Sequence, residues 1–235
     1  MLIIGHRGAA GLAPENTLDA MEAGVEAGAD ILEFDVRLTK DGVLVLVHDF
    51  HTMRTHHKPS IISRTTYDDL MRFSDDYPKV TRIEEVLDRY LGVILLNIEI
   101  KSRGSGPALI QLLKKKYIKK NNEWDSIIIS SFMGYELVRI RRLAKKANLA
   151  LLHDRNPFIF VAYHRFIKLT AVGFHRLYIN KFALEIAHQL NLFTYVYTVN
   201  RIGSLQHLAN QGIDGIVTNY PDKFNAALQH ENAIN

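Results

Sequence analysis

The run Ile31-Leu32-Glu33-Phe34-Asp35-Val36-Arg37-Leu38-Thr39-Lys40-Asp41-Gly42-Val43-Leu44-Val45-Leu46-Val47-His48-Asp49 decides how this chain folds. From Leu32 to Val36 it alternates apolar with acidic residues, the period of a β-strand. Val43 to Val47 is a second, unbroken apolar run of strand length. Asp41-Gly42 between them predicts a two-residue hairpin turn, since such turns need the positive φ that Gly tolerates. With that turn Lys40 faces Val43 and, counting back along the ladder, Asp35 faces His48. Glu33 stands two residues before Asp35 and points to the same side. Glu33, Asp35 and His48 are therefore expected to form one cluster.

Working outward, short β-type runs alternate with helix-length amphipathic stretches, the pattern of βαβ units and a parallel sheet. The expected strands are Leu2–His6, Ile31–Val36, Ile94–Glu99, Ile127–Ser130, Leu149–Leu152, Ala171–Leu177, Thr194–Thr198 and Gly215–Thr218. Helical patterns between them include Asn16–Ala27, Glu84–Tyr90, Ala108–Lys116, Tyr135–Ala147, Leu184–Asn191 and Ile202–Gln211. Eight strands with intervening helices predict an α/β fold closed as a (β/α)8 barrel rather than an open sheet. Asn16 is the expected N-cap of the first helix, with Asp19 completing a capping box. After the hairpin, residues 50 to about 82 read as a polar, helix-poor excursion over one end of the barrel, and residues 1–235 as a single domain.

Barrel closure inverts the usual reading of an alternating strand. An exposed sheet would bury its apolar face and turn the acids to water. In a barrel, helices cover the outside, so Leu32, Phe34 and Val36 belong outside and the acids face the interior at the C-terminal mouth, where barrel active sites lie. Ile98-Glu99-Ile100-Lys101 repeats the pattern. Inward charges are costly unless paired or bound to metal. The chain has no cysteine, so a metal here takes oxygen and imidazole ligands, and three carboxylates suit Mg²⁺ or Ca²⁺. At the end of the first strand, Gly5-His6-Arg7-Gly8 adds a histidine and a guanidinium whose fork matches phosphate oxygens. Lys101 adds a second inward cation. Two histidines, two cations and three acids converging on one mouth describe a phosphoryl site. The other histidines (51, 56, 57, 153, 164, 175, 188, 207 and 230) lack such surroundings and read as surface or satisfied polar residues; adjacent His56 and His57 would point apart on a strand.

Lys and Arg exceed Asp and Glu by 29 to 25, an excess that suits an anionic small molecule but is too small to argue for nucleic acid. No apolar run reaches the ~18–20 residues that span a bilayer, and Gly5-His6-Arg7-Gly8 leaves no room for a signal peptide after Met1. The expected location is the cytoplasm. The oligomeric state is left open.

These motifs resemble the glycerophosphodiester phosphodiesterase family. The matching text is His6-Arg7-Gly8, Pro14-Glu15-Asn16-Thr17, Gly28-Ala29-Asp30, Glu33-Phe34-Asp35-Val36, Thr39-Lys40-Asp41-Gly42, His48-Asp49, Glu99-Ile100-Lys101, Ser131-Phe132, Thr198-Val199-Asn200 and Thr218-Asn219-Tyr220-Pro221-Asp222. The resemblance implies a TIM-type barrel that hydrolyses glycerophosphodiesters to glycerol 3-phosphate and an alcohol. It implies a divalent metal held at Glu33, Asp35 and Glu99, catalytic histidines at His6 (base) and His48 (acid), and phosphate contacts from Arg7 and Lys101. Tyr197 stands where family members often carry Trp, a substrate-lining position. A lysophospholipid-cleaving, phospholipase D-like member of the same superfamily and a non-catalytic phosphodiester-binding barrel are the alternatives.

Overall fold

A computed structural model of the chain describes residues 1–72, 78–153 and 155–234. Its strands are β1 (Leu2–Gly5), β2 (Ile31–Leu38), β3 (Leu44–Leu46), β4 (Leu95–Ile100), β5 (Ile127–Ser131), β6 (Asn148–His153), β7 (Ala171–His175), β8 (Phe193–Tyr197) and β9 (Gly215–Thr218). Each of these except β3 pairs in parallel with its neighbours, and β1 pairs with both β2 and β9, so eight parallel strands close into a barrel with helices between them. The architecture is the TIM barrel expected from the sequence.

The two-sided pattern of β2 follows from that closure. Leu32, Phe34 and Val36 join the large outer core beneath the helices, together with Leu96, Ile98 and Ile100 of β4. The barrel interior is a separate, smaller cluster that includes Ile4, Ile31, Ala150, Leu152, Tyr195 and Val217. Above this apolar floor the inward positions become polar, from Glu33 and Asp35 on β2 to Asn97 and Glu99 on β4. The helix Ile83–Tyr90 shows the complementary logic: Ile83, Val86, Leu87 and Tyr90 recur at helical spacing, and all are buried.

The hairpin register differs from the expected one. Val36 pairs with Leu46 and Leu38 with Leu44, which sets Asp35 opposite Val47 and not opposite His48. The cause is a three-residue loop. Thr39 N donates to Val43 O at 2.9 Å, Thr39 Oγ1 accepts from Val43 N at 2.9 Å and donates to Asp41 Oδ1. Gly42 takes the left-handed turn position, with φ +83°. The Thr39 hydroxyl thus closes the loop one residue earlier than Asp-Gly alone predicts.

Asn16 is not the N-cap. Thr17 fills that role, its hydroxyl accepting from Ala20 N for the helix Leu18–Glu26, because the Asn16 amide is engaged elsewhere. The excursion after β3 is richer in helix than expected, carrying Met53–His56, the 3₁₀ turn Ile62–Arg64 and Tyr67–Met71; its residues 73–77 lie outside the described residues. Helices Ile159–Ile167 and Pro221–Ile234 complete the outer layer.

Candidate active site

β1, β2 and β4 end side by side, and their last inward side chains meet. Ligand oxygens of Glu33, Asp35 and Glu99 all lie within 4.8 Å of one another, and all three residues are buried. Lys101 Nζ stands 2.6 Å from Glu99 Oε1 and 3.3 Å from Asp35 Oδ1. Arg7 Nε is 3.2 Å from Asp35 Oδ2. The expected convergence of three acids and two cations is present.

Glycine geometry brings β1 into this group. The chain turns sharply after β1, with Arg7 at φ +52° and Gly8 at φ +86°. The turn aims Arg7 N at Glu33 Oε2 (2.9 Å) and Gly8 N at Glu33 O (2.9 Å). Asn16, at φ +59°, clamps Asp35 from the other side: its Nδ2 donates to Asp35 Oδ2 at 2.9 Å and its Oδ1 accepts from Asp35 N at 3.0 Å.

Electrostatics separate the three acids. Burial raises the Asp35 carboxyl, but Lys101 and Arg7 outweigh burial and hold it below the usual carboxylate range. Burial and the charges of Asp35 and Glu99 push Glu33 well up. Burial, with Asp35 adding to it and Lys101 opposing, brings Glu99 to about 7. Glu33 Oε1 has no hydrogen-bond partner among the described residues. A buried carboxylate oxygen without a donor, beside two further carboxylates, is an acceptor site that lacks its positive charge. Two oxygens facing each other across Ca²⁺ stand ~4.8 Å apart and across Mg²⁺ ~4.2 Å. The cluster therefore fits a hard divalent cation.

Both expected histidines reach the same mouth. Burial, helped by Arg7, lowers the His6 imidazole to about 4, and its Nδ1 lies 2.6 Å from Asn219 Oδ1. His48 sits past the end of β3, close enough for the Asp35 charge to act on it, although burial dominates and lowers its pKa. Its Nδ1 meets Asp49 Oδ1 at 2.7 Å. Asp49 is in turn held by Arg54 Nε at 2.7 Å, and Arg54 and Arg7 both bind Glu15. Tyr197 lines the cleft; its hydroxyl donates to the His153 carbonyl and its ring takes the edge of Phe132, centroids 5.8 Å apart. The cleft beside these groups is also lined by Asn97, Ser130, Tyr195 and Thr198.

Arg37 is a functional-site residue that pattern reading passed over. Its Nε and Nη2 donate to the His48 carbonyl at 2.9 and 2.7 Å, and its Nη1 donates to the Lys101 carbonyl at 2.8 Å. It ties together the chain ends that carry a histidine and a lysine of the mouth. Asn16, Asn219 and Glu15 were also passed over, though all stand within motifs quoted for the family resemblance. The arrangement offers a cation site, two imidazoles whose Nε2 has no hydrogen-bond partner among the described residues, and two cations for anionic oxygens.

Comparisons with known proteins agree with this geometry. The family model for the glycerophosphoryl diester phosphodiesterase family matches residues 6–223. A glycerophosphodiester phosphodiesterase of Caldanaerobacter subterraneus subsp. tengcongensis is 30% identical over 236 residues, spanning 94% of this chain and 95% of the relative. The crystal structure of glycerophosphodiester phosphodiesterase from Thermotoga maritima superposes with a TM-score of 0.82 at 26% identity, covering 96% of this chain and 97% of that one. A phosphodiesterase from Oleispira antarctica, solved in complex with the product sn-glycerol-3-phosphate, shares the fold with a TM-score of 0.86 at 22% identity over 97% of each chain. The chain belongs to the glycerophosphoryl diester phosphodiesterase family.

Proposed function

We propose that this chain, acting as one domain, hydrolyses glycerophosphodiesters to glycerol 3-phosphate and an alcohol, using a divalent cation and two histidines. The observation that carries this reading is the meeting of three buried carboxylates with His6, Arg7, His48 and Lys101 at one mouth. Glu33, Asp35 and Glu99 would hold Mg²⁺ or Ca²⁺, which supplies charge neutralisation on a phosphoryl oxygen. Arg7 and Lys101 balance the remaining charge in a partly dehydrated cleft, where electrostatic stabilisation counts for most. Tyr197 gives the substrate an apolar wall.

The imidazoles divide the proton work. Asn219 Oδ1 accepts from His6 Nδ1–H, so His6 Nε2 carries the lone pair, and an imidazole lowered to about 4 is neutral at pH 7. This is the base. His48 Nδ1–H points at the Asp49 carboxylate, which offsets part of the lowering that burial imposes on the ring; His48 would act as the acid in its protonated form, with Nε2–H given to the departing alkoxide. The nucleophile is either water, giving glycerol 3-phosphate directly, or the substrate's own 2-hydroxyl, giving a cyclic phosphate that water then opens. The Oleispira antarctica protein holds sn-glycerol-3-phosphate as its product, which is the half of the diester expected to form here.

The test is release of glycerol 3-phosphate from glycerophosphocholine, with lysophosphatidylcholine assayed beside it. The wild type should turn over the first, and His6→Ala and His48→Ala should each lose ~10²–10⁴-fold in kcat with unfolding temperatures unchanged. Near-normal turnover by both variants would refute the two-histidine scheme. Preference for lysophosphatidylcholine would favour the lysophospholipid-cleaving alternative.

A further inference from the structure

The sequence between Asp154 and Glu185 contains five Arg or Lys residues (Arg155, Arg165, Lys168, Arg176 and Lys181) and no acid. The chain's overall excess of cations is only 29 against 25, so this one segment exceeds the whole chain's imbalance. It builds the helix Ile159–Ile167 and β7, together with the loops after β6 and β7 and the start of the helix Lys181–Gln189. These loops and the helix starts that follow them carry exposed apolar side chains: Leu177 is 67% exposed and Phe182 63%, and Phe158, Ile159 and Tyr178 are exposed too. Phe158 and Phe182 bring the two loops together, their ring centroids 6.1 Å apart. Arg155 and Arg176 are exposed on these loops and Lys181 on the first turn of the helix Lys181–Gln189, and Arg176 and Lys181 form no ion pair among the described residues.

This surface is continuous with the catalytic mouth. Tyr178 packs on His175 with centroids 5.4 Å apart, and His175 packs edge-on against Tyr197, the cleft-lining tyrosine, at 5.9 Å. Isolated exposed apolar residues need no explanation, but a contiguous group rimmed by cations at an active-site mouth does. A second copy of the chain is a poor occupant, because a two-fold contact would bring the exposed Arg155, Arg176 and Lys181 towards their own counterparts. Aromatic and leucyl side chains among arginines and lysines match a negatively charged lipid surface, whose interface takes the apolar tips while its headgroups meet the cations.

We propose that the β6 and β7 loops, with the first turns of the helices that follow them, form an interfacial docking surface for anionic phospholipid bilayers, which places the mouth beside the lipid headgroups. Docking there requires no change in the catalytic cleft and does not depend on which phosphodiester is cleaved.

The test is co-sedimentation of the full chain with vesicles of pure phosphatidylcholine and of equimolar phosphatidylcholine and phosphatidylglycerol. The wild type should bind the mixed vesicles and lose that binding at high salt. Leu177→Ser/Phe182→Ser and, separately, Arg176→Glu/Lys181→Glu should each weaken binding by about tenfold or more. Both double variants should keep the wild-type unfolding temperature and rate on soluble glycerophosphocholine. Three results would overturn the proposal: no binding to the mixed vesicles, equal binding to neutral and anionic vesicles, or a wild-type dimer in light scattering that the Leu177→Ser/Phe182→Ser change dissociates.

Discussion

His6 and His48 are alike in having Nδ1 engaged by a side-chain oxygen, yet their partners differ in charge. Asn219 is neutral, so His6 keeps the low pKa that burial imposes, about 4. Replacing it by a carboxylate, Asn219→Asp, puts an anion on Nδ1 and raises the imidazole's pKa. A base must be unprotonated to act, so the acid limb of the kcat/KM pH profile should move to higher pH. An unchanged profile would show that His6 does not act as the base. Asn219→Ala, which only frees the ring, should cost ~10–100-fold in kcat. The histidines themselves were legible because each stands beside a strand end with other charged residues. Their partners were not, since an asparagine that orients a ring looks like any other surface amide. Asn16 shows this most plainly: its spacing before an apolar run suggested a helix cap, while its amide binds the buried Asp35.

At the scale of elements, the turn after β1 depends on Gly8. A Cβ there would meet the Ala20 carbonyl carbon at 2.4 Å and oxygen at 2.5 Å, and φ is +86°. Gly8→Ala must therefore push the helix Leu18–Glu26 away from the turn that presents Arg7 to Glu33. The strain should cost ~2 kcal/mol or more, a fall in Tm of about 4–8 °C, with activity falling further than stability. Thermal unfolding and steady-state rates check both. Arg37→Ala releases the carbonyls of His48 and Lys101 and should lower kcat with little change in KM; a loss confined to KM would contradict its positioning role. The alternation in β2 and β4 was readable in the sequence, as was the existence of a hairpin. The register was not, because it turns on whether the Thr39 hydroxyl or the Asp-Gly backbone closes the loop. His48 still reaches the mouth because it lies beyond the last ladder pair, where Arg37 and not register fixes the backbone.

For the whole molecule, the mouth stores repulsion that a cation relieves. A carboxyl whose folded pKa is raised binds its proton more tightly in the folded protein, so its contribution to stability is present at low pH and lost as pH rises. For Glu99 the loss runs from about 4.5, its ordinary value, to about 7. A divalent cation competes for the same oxygens once they are ionised. Added Ca²⁺ or Mg²⁺ should accordingly raise Tm more at pH 8 than at pH 6, an order that Glu99→Gln should weaken. An equal rise at both pH values would mean that binding does not involve these acids. The barrel itself was legible because eight strand-length runs alternate with helical ones. Closure then told which face of β2 is interior, an inference that no single strand could supply.

The most direct measurement is hydrolysis of glycerophosphocholine by chelator-treated protein, before and after titration with Ca²⁺ and Mg²⁺, in the wild type and in Glu33→Gln. The account predicts loss of activity on chelation, its return with one or both ions, and a weaker apparent ion affinity in Glu33→Gln. Full activity in the chelated wild type, or an ion response identical in Glu33→Gln, would contradict it.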